Sequence, residues 1–402
     1  MPVTTATRTD NEWMDLALEL AAEGEALASP NPMVGAVLTR TGEELARAFH
    51  TYDGVAHAEV LALEKTGPAA RGATLYTNLE PCSHQGRTGP CVEALIAAGV
   101  CRVVAAMPDP NPQVNGRGFE RLRAAGIEVA TGVRQEEARG LNEAFACWVR
   151  TGRPLVTLKA GLTLDGKIAP GGAPSDHRWI TSEESRAHVQ RLRHQSDAVL
   201  TGIGTVLADD PLLTDRSERP RRRPLLRVVL DAGLRLPLHS QLARSARDDV
   251  LVFCGEDVWM GKRRRLEERG IEALELKEAA GRLSLRAVLT KLAERQVTSV
   301  LLEAGARLNA SALAENLADK LWLFFAPKFL GNDAVPLIAQ PSACPALVGG
   351  GPRHWEASLR EYRLHRFGPL PADLSRVPQR EASAQAGDFA LEGYLHDVYG
   401  NH

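Results

Sequence analysis

The sequence predicts two α/β domains in tandem, and three observations predict it. Its 402 residues, at roughly 150 per domain, set a prior of two or three domains. Apolar segments of helical and strand character alternate along the chain, the pattern of layered α/β architecture. That alternation pauses at Thr151-Gly152-Arg153-Pro154, where a polar turn separates a helix ending near Arg150 from a fresh strand. With 44% hydrophobic side chains, each part has enough apolar surface for its own core. The expected domains are residues 1–150 and 151–402.

In the first part, Trp13, Leu16, Ala17, Leu20 and Ala21 recur at helical spacing and predict a helix over Trp13–Glu25. It must stop before Ser29-Pro30-Asn31-Pro32, because proline lacks the N–H a helix needs and clashes with the preceding turn. A buried strand, Val34–Leu38, follows. Helices Ala58–Lys65, Cys91–Ala98, Phe119–Ala125 and Glu136–Trp148 then alternate with strands Ala73–Leu79, Arg102–Ala106 and Ile127–Ala130. The second part runs strand Leu155–Ala160, helix Glu183–His194, strands Ala198–Thr201, Leu226–Leu230 and Val250–Phe253, and helix Leu285–Glu294. Strand Ser299–Leu302, helix Ala306–Leu317 and strand Leu321–Ala326 come next. Residues Gly368–Gly387 are polar and proline-bearing and read as a long loop before a last strand, Phe389–Tyr394.

Charge and composition exclude several classes. The 48 basic and 50 acidic side chains leave a net charge of −2, which argues against a dedicated nucleic-acid binder. Arg8, Asp10, Glu12, Asp15, Glu19, Glu23 and Glu25 interrupt the N-terminal stretch, so no signal peptide or membrane span is expected there and the protein is placed in the cytoplasm. Six cysteines are too sparse for a disulfide scaffold and read as core, catalytic or metal-bound.

His57-Ala58-Glu59 opens a helix, Pro81-Cys82 follows a strand, and Cys91 opens another helix. Zinc takes imidazole and thiolate, and a catalytic zinc keeps its fourth position for water. Both cysteines lie at or near helix N-termini, where the backbone dipole favours thiolate. Water on such an ion has its pKa lowered towards ~7. Glu59, two residues from the ligand His57, is then placed to carry a proton from the water to a ring nitrogen and on to a leaving amine. His-x-Glu followed by Pro-Cys is the signature of zinc deaminases acting on nucleobase-like rings. The usual short motif has two residues between the cysteines, whereas eight separate Cys82 from Cys91, with His84 inside the gap. The alternatives are a buried Cys91 with His84 completing the site, a chance pairing of His57 with Cys82, or a structural zinc with a fourth protein ligand.

Ser29-Pro30-Asn31-Pro32-Met33-Val34-Gly35, His50, His57-Ala58-Glu59 and the run from Asn78 to Cys91 together resemble the bifunctional riboflavin-biosynthesis deaminase/reductase family, whose wide cysteine gap matches this one. The run from Pro108 to Gly118 resembles it too, and the similarity continues to about residue 340. The resemblance implies a cytidine-deaminase-like three-layer first domain, with one zinc on His57, Cys82 and Cys91 and with Glu59 as proton shuttle. Its substrate would be a diaminopyrimidinone carrying a ribosylamino 5′-phosphate, losing its 2-amino group. Asn31 matches a position that sets an amide against the pyrimidine, with a turn asparagine as the alternative. His50 matches a substrate contact, with a core or surface histidine as the alternative. Ala46-Arg47-Ala48 stands where the family usually shows Gly-x-Gly.

In the second part, strands run into Gly161-Leu162-Thr163-Leu164-Asp165-Gly166-Lys167, Gly202-Ile203-Gly204-Thr205 and Leu302-Glu303-Ala304-Gly305-Ala306-Arg307-Leu308. Glycine permits close backbone approach and helix N-termini offer free N–H groups to phosphate, so a dinucleotide is the natural suggestion. Gly202-x-Gly204 does not complete the Rossmann fingerprint. The resemblance implies instead a dihydrofolate-reductase-like α/β domain that uses NADPH to reduce the ribosyl group to ribityl. By that resemblance Gly161, Trp179, Thr205, Asp209, Gly305, Ala306, Arg307 and Leu308 are cofactor candidates. Lys159, Arg193, Leu213, Arg216 and Glu303 are substrate candidates, the arginines suiting a sugar phosphate. Arg193 as a solvated cation and Trp179 as a core aromatic are the bland alternatives.

His177-Arg178 replaces a small hydroxyl residue expected before Trp179. Arg219–Arg223 reads as a solvated basic loop, with the cofactor's 2′-phosphate as the other reading. Cys101, Cys147, Cys254 and Cys344 read as structural. Small-molecule pyrimidine ribosyl phosphates are the expected partners, with no nucleic acid and no membrane, and the chain is expected to form a homo-oligomer. Two other classes stay in view: a deaminase for another nucleobase whose second half is only a partner domain, and a zinc-stabilised nucleic-acid-binding module.

Overall fold

The computed structural model describes residues 8–171, 179–279, 282–339, 357–367 and 387–400. Helix α1 (Asp10–Ala22) starts at Thr9, whose hydroxyl accepts from the Glu12 N–H while the Glu12 carboxylate accepts from the Thr9 N–H. This reciprocal pair satisfies two orphan donors of the first turn. The helix ends three residues before the expected Glu25. There follow β1 (Gly35–Arg40), β2 (Glu43–Phe49), α2 (Ala58–Thr66), β3 (Thr74–Thr77), α3 (Cys91–Ala98), β4 (Arg102–Ala105), α4 (Arg117–Ala124), β5 (Glu128–Thr131) and α5 (Gln135–Thr151).

These strands form one sheet in the order β2-β1-β3-β4-β5, with β1 antiparallel to both neighbours and β3, β4 and β5 parallel. Strand β2 is absent from the sequence reading. It carries Glu43, Glu44 and Arg47 outward, while Ala46 and Ala48 are buried opposite Leu38 and Ala36. The residues standing in place of a Gly-x-Gly are therefore part of a strand seated on β1.

Helix α1 lies so close to β1 that a Cβ on Gly35 would sit 2.1 Å from the Ala17 carbonyl oxygen and 2.7 Å from the Ala21 nitrogen. Backbone cannot yield as a side-chain tip can. Gly35→Ala is expected to destabilise the chain by about 3 kcal/mol, the upper part of the overpacking range. Urea unfolding checks this, and an unchanged midpoint would mean that the helix moves aside at little cost.

The second half of the chain runs through β6 (Leu155–Thr163), β7 (Lys167–Ala169), α6 (Glu183–Gln195), β8 (Ala198–Gly202), α7 (Ile203–Asp209), β9 (Leu226–Leu230), α8 (Gln241–Arg244), β10 (Val250–Cys254), α9 (Met260–Glu267) and β11 (Ile271–Glu275). The chain continues through β12 (Glu278–Ala279), β13 (Arg282–Leu283), α10 (Leu285–Glu294), β14 (Ser299–Leu302), α11 (Ala306–Ala314), β15 (Lys320–Ala326), β16 (Val335–Pro336), β17 (Glu361–Arg366) and β18 (Phe389–Tyr394). The main sheet has the order β11-β10-β9-β8-β14-β6-β15-β18-β17. It is parallel from β11 to β15, after which β18 and β17 each run antiparallel to their neighbour.

Alternate residues of the same strands feed two cores. Leu200, Val228 and Leu251 join one with α10, and Val199, Val229 and Val252 join the other. Helix α11 stops at Ala314 rather than Leu317, and Asn316 turns into left-handed backbone at φ +51°. Short α7, α8 and α9 and the outer strands β11 and β17 were not read from the sequence. In an open parallel sheet, ligands gather at the carboxyl ends of the strands, and Gly202 and Glu303 lie at those ends of β8 and β14.

The chain forms two compact units. One comprises the residues through Arg153 together with Pro220–Arg223, and the other Pro154–Arg219 with Pro224–Gly400. The expectation of a solvated loop at Arg219–Arg223 holds at Arg219, which is exposed, and is corrected at Arg221–Arg223, which are half-buried. In the first unit the Arg222 N–H donates to the Ala26 carbonyl, and its guanidinium sits 4.1 Å over the Tyr52 ring. Its side chain is only 15% exposed. His177, Arg178, Cys344 and all but the end of the loop expected over Gly368–Gly387 lie outside the described residues. No helix among the described residues is long and apolar enough to cross a membrane.

Candidate functional site

In the first unit, three helix or loop starts bring three ligating atoms together. His57 is the N-cap of α2 with extended backbone, and Cys91 is the first residue of α3 after the N-cap Pro90. Cys82 precedes α3 on the loop after β3, and its sulfur accepts the Cys91 N–H at 3.3 Å. His57 Nδ1 lies 3.1 Å from Cys91 Sγ and 3.5 Å from Cys82 Sγ. All three ligating atoms fall within 4.8 Å of one another.

The electrostatics follow from that crowding. The Cys82 thiol is pulled down, first by its hydrogen bond with Cys91 and then by His57, while the same contact and burial push Cys91 up. His57 is raised, chiefly by its hydrogen bond to Cys82. Two sulfurs this close hold one negative charge between them unless a cation joins, and an imidazole with two thiolates is a donor set zinc favours. Among the described residues this group has three members, the number a catalytic zinc uses. His84 is exposed and outside the group, so the reading in which it completes the site is corrected.

Glu59 stands in the first turn of α2, 3% exposed, with its Oε2 buried and lacking a hydrogen-bond partner. Burial pushes its carboxyl up to about 7, close to the value wanted of a group that takes and returns a proton near neutrality. His50 is buried and its pKa is lowered, mainly by that burial. As a neutral imidazole its Nδ1–H donates to the Ala56 carbonyl at 2.9 Å, leaving Nε2 to accept from Asn31 Nδ2 at 2.9 Å. This orients the Asn31 amide and leaves its Oδ1 as an acceptor.

Two buried amides missed by sequence reasoning hold the loop that carries Asn31. Asn142 accepts from the Met33 N–H and donates to its carbonyl. Asn78 donates to the same carbonyl and accepts from the Gly35 N–H. Their sequence signal is position: Asn142 falls four residues from both Ala138 and Ala146 on the buried face of α5, and Asn78 directly follows the buried end of β3. Buried Glu80 likewise accepts from the N–H groups of Asp109, Gly116 and Gly118, pinning the Pro108–Gly118 segment. Cys147 and Cys254 are buried as expected, but Cys101 is exposed, its thiol donating to the Gly72 carbonyl.

In the second unit, Lys159 from β6, Arg193 from α6 and Glu303 just beyond β14 meet. Arg193 forms a two-pronged pair with Glu303 at 2.7 and 3.0 Å, and Lys159 Nζ lies 3.9 Å from the same carboxylate. Burial pushes Glu303 up, but Arg193 and Lys159 outweigh it and hold the carboxyl below its ordinary range. Burial lowers Lys159, against the pull of Glu303. Arg193 is thus paired rather than solvated.

The strand-to-helix junctions also converge. Thr205 Oγ1 would lie 3.7 Å from a Cβ on Gly305, and Leu308 lies 3.9 Å from one on Gly202. Gly305 caps α11 and leaves the first-turn N–H groups of Ala306 and Arg307 for an anion. That polarity suits the phosphates of a dinucleotide. A Cβ on Gly161 would meet Thr181 at 3.1 Å. Trp179 is 59% exposed, not core, with the Arg186 guanidinium 5.0 Å from its ring. Asp209 and Arg216 are exposed, and the Arg216 N–H donates to Gln190. The Leu213 side chain lies in the buried cluster with Val199 and Ile203, so a ligand there would meet its backbone.

Comparison with known proteins agrees with both halves. Residues 154–356 match the family model described as the RibD C-terminal domain, and residues 7–107 match the cytidine and deoxycytidylate deaminase zinc-binding region. The riboflavin biosynthesis protein RibD of Aquifex aeolicus is 42% identical over 323 residues, 80% of this chain and 88% of that protein. Its Escherichia coli counterpart is 42% identical over 345 residues, 83% and 91% of the two chains. Among solved structures, Acinetobacter baumannii RibD has a TM-score of 0.75 at 35% identity, covering 96% of this chain and 98% of that one. A Thermotoga maritima diaminohydroxyphosphoribosylaminopyrimidine deaminase/5-amino-6-(5-phosphoribosylamino)uracil reductase has a TM-score of 0.74 at 32% identity, with the same coverage.

Proposed function

The chain belongs to the riboflavin biosynthesis RibD family, and from that premise we propose that its two domains, residues 1–150 and 151–402, perform consecutive steps on one pyrimidine ribosyl phosphate. The first removes the 2-amino group of a diaminopyrimidinone bearing a ribosylamino 5′-phosphate. The second reduces the ribosyl group of the resulting aminouracil to ribityl with NADPH. The observation that carries the reading is the convergence of His57, Cys82 and Cys91 within 4.8 Å, with buried Glu59 on the turn that supplies His57.

Zinc held by those three residues supplies Lewis acidity and lowers the pKa of a water towards ~7. Glu59 would carry one proton of the water to the ring nitrogen and then the second, from the hydroxyl at the attacked carbon, to the departing amine, so water enters, ammonia leaves and a carbonyl remains beside the protonated ring nitrogen. Asn31, oriented by His50, presents an amide to the pyrimidine edge.

NADPH supplies the hydride for the second step. We assign its binding to Gly161, Trp179, Thr205, Asp209 and the first turn of α11, where orphan N–H groups favour phosphate. Lys159, Arg193 and Glu303 line the substrate's sugar, with Leu213 by its backbone and Arg216 beside its phosphate. The same reading has the chain act in the cytoplasm as a homo-oligomer.

Metal analysis combined with an ammonia-release assay on the diaminopyrimidinone phosphate tests the first half. One zinc per chain with ammonia release is expected, and a metal-free active protein would sink the assignment. NADPH oxidation with the ribosylaminouracil phosphate tests the second. No turnover there would leave a deaminase with a non-catalytic partner domain.

A further inference from the structure

The segment between α7 and β9 carries Leu213 and Arg216, and it is held in a shape that L side chains disfavour. Asp210 and Leu213 both adopt left-handed backbone, at φ +42° and +56°. Such conformations persist where the surroundings over-determine them, and they gather at functional sites.

The surroundings here do over-determine it. Arg193 Nη1 donates to the Thr214 carbonyl at 2.9 Å, and Arg227 Nη1 donates to the Leu212 carbonyl at 3.0 Å. The carbonyls on either side of Leu213 are thus each fixed by a guanidinium. Gln241 donates to Asp210 from its backbone N–H and its side-chain amide, both at 2.7 Å. His194 Nδ1 lies 2.9 Å from Asp215 Oδ2.

Arg193 belongs to the charged cluster already described, but Arg227 does not. It sits within β9, in Leu226-Arg227-Val228-Val229-Leu230, and its side chain is 1% exposed. Nη2 is anchored on Asp249 Oδ1 at 2.7 Å and on the Ser245 carbonyl at 3.0 Å, while Nη1 also meets Ser245 Oγ at 2.8 Å. An aliphatic residue would fill a central strand without the desolvation a guanidinium incurs. What the arginine adds is a rigid fork that ties the segment after α8 to the Leu212 carbonyl.

We propose that Arg227 is a positioning residue of the reductase. It touches neither substrate nor cofactor and acts by fixing the Leu212–Arg216 turn beside the Lys159–Arg193–Glu303 cluster. The inference rests on the reductase reading given above. Its consequence is selective: the sugar-phosphate substrate should feel its loss, and NADPH should not.

The test uses the full chain carrying Arg227→Lys, which keeps the charge but loses the fork. The KM for the ribosylaminouracil phosphate should rise about tenfold, with kcat changed less than about threefold, as when loosened positioning weakens binding. The KM for NADPH and the rate of ammonia release should stay unchanged, and hydrogen exchange at residues 212–216 should quicken. An unchanged substrate KM alongside faster exchange overturns the proposal. Equal rises in both KM values also overturn it, by making Arg227 a purely structural residue. Should the lysine variant not fold, Asp249→Asn weakens the anchor from outside the turn and should give the same split at about threefold; no split overturns the proposal. A wild type that fails to oxidise NADPH with this substrate sinks the reductase reading itself. That result is distinct from an active wild type whose Arg227→Lys variant keeps its KM.

Discussion

Glu59→Gln is expected to leave zinc bound and to lower ammonia release by a factor of about 10³, within the range attributed to a positioned general acid–base group. The three ligands are untouched by the change, so metal content should match the wild type. The amide has nearly the same shape but cannot accept the water's proton, and the step that feeds the leaving amine fails with it. The substitution also removes a carboxyl whose charged form burial disfavours, so folding stability should hold. NADPH oxidation should be unaffected. Metal analysis, an ammonia assay and a NADPH assay on one preparation check all of this, and loss of reductase activity would refute the independence of the two domains.

Glu303→Gln is the second large effect, and it acts on stability and activity together. The carboxylate is 13% exposed and is shared by Arg193 and Lys159, themselves 11% and 19% exposed. Neutralising it leaves two cations facing each other with little water to screen them. Breaking a buried pair from one side destabilises by about 3 kcal/mol, readable in a denaturant midpoint. The reductase should lose most of its activity while ammonia release persists. The sign of the pH dependence follows from the depressed carboxyl of Glu303: its contribution is present above the ordinary glutamate value of 4.5 and is lost as pH falls through the lower folded value. The wild type should therefore weaken on acidification by more than the Gln variant does. Equal acid sensitivity of the two proteins would contradict the ion cluster's role.

The metal centre was legible because its chemistry is local: His57-Ala58-Glu59 and Pro81-Cys82 each carry a spacing that only a few reactions need. The strands of the parallel sheet were legible as apolar runs bounded by turns, as at Ser299–Leu302, which is buried throughout. Strand β17 was not, because Glu-Tyr-Arg-Leu-His-Arg lies at the sheet edge, mostly exposed, and the brief alternation of Tyr362 and Leu364 with polar residues marks no buried face, both side chains being exposed. Helix α7 was hidden by its seven residues and its glycine, which lower helical propensity. Arg227 did leave a signal, a charge inside an apolar strand, but its meaning depends on the Leu212 carbonyl, which no spacing in the sequence relates to it. Leu213 fell between: the resemblance marked the position, and only the coordinates show that its side chain faces the core.

Cutting the polypeptide after Arg153 would not release an intact first half. Pro220–Arg223 would stay behind with the other fragment, taking away the guanidinium that covers Tyr52 and the N–H that closes on Ala26. Separately expressed halves should thus understate the deaminase, and a fair dissection of the two activities calls for point substitutions in the uncut chain.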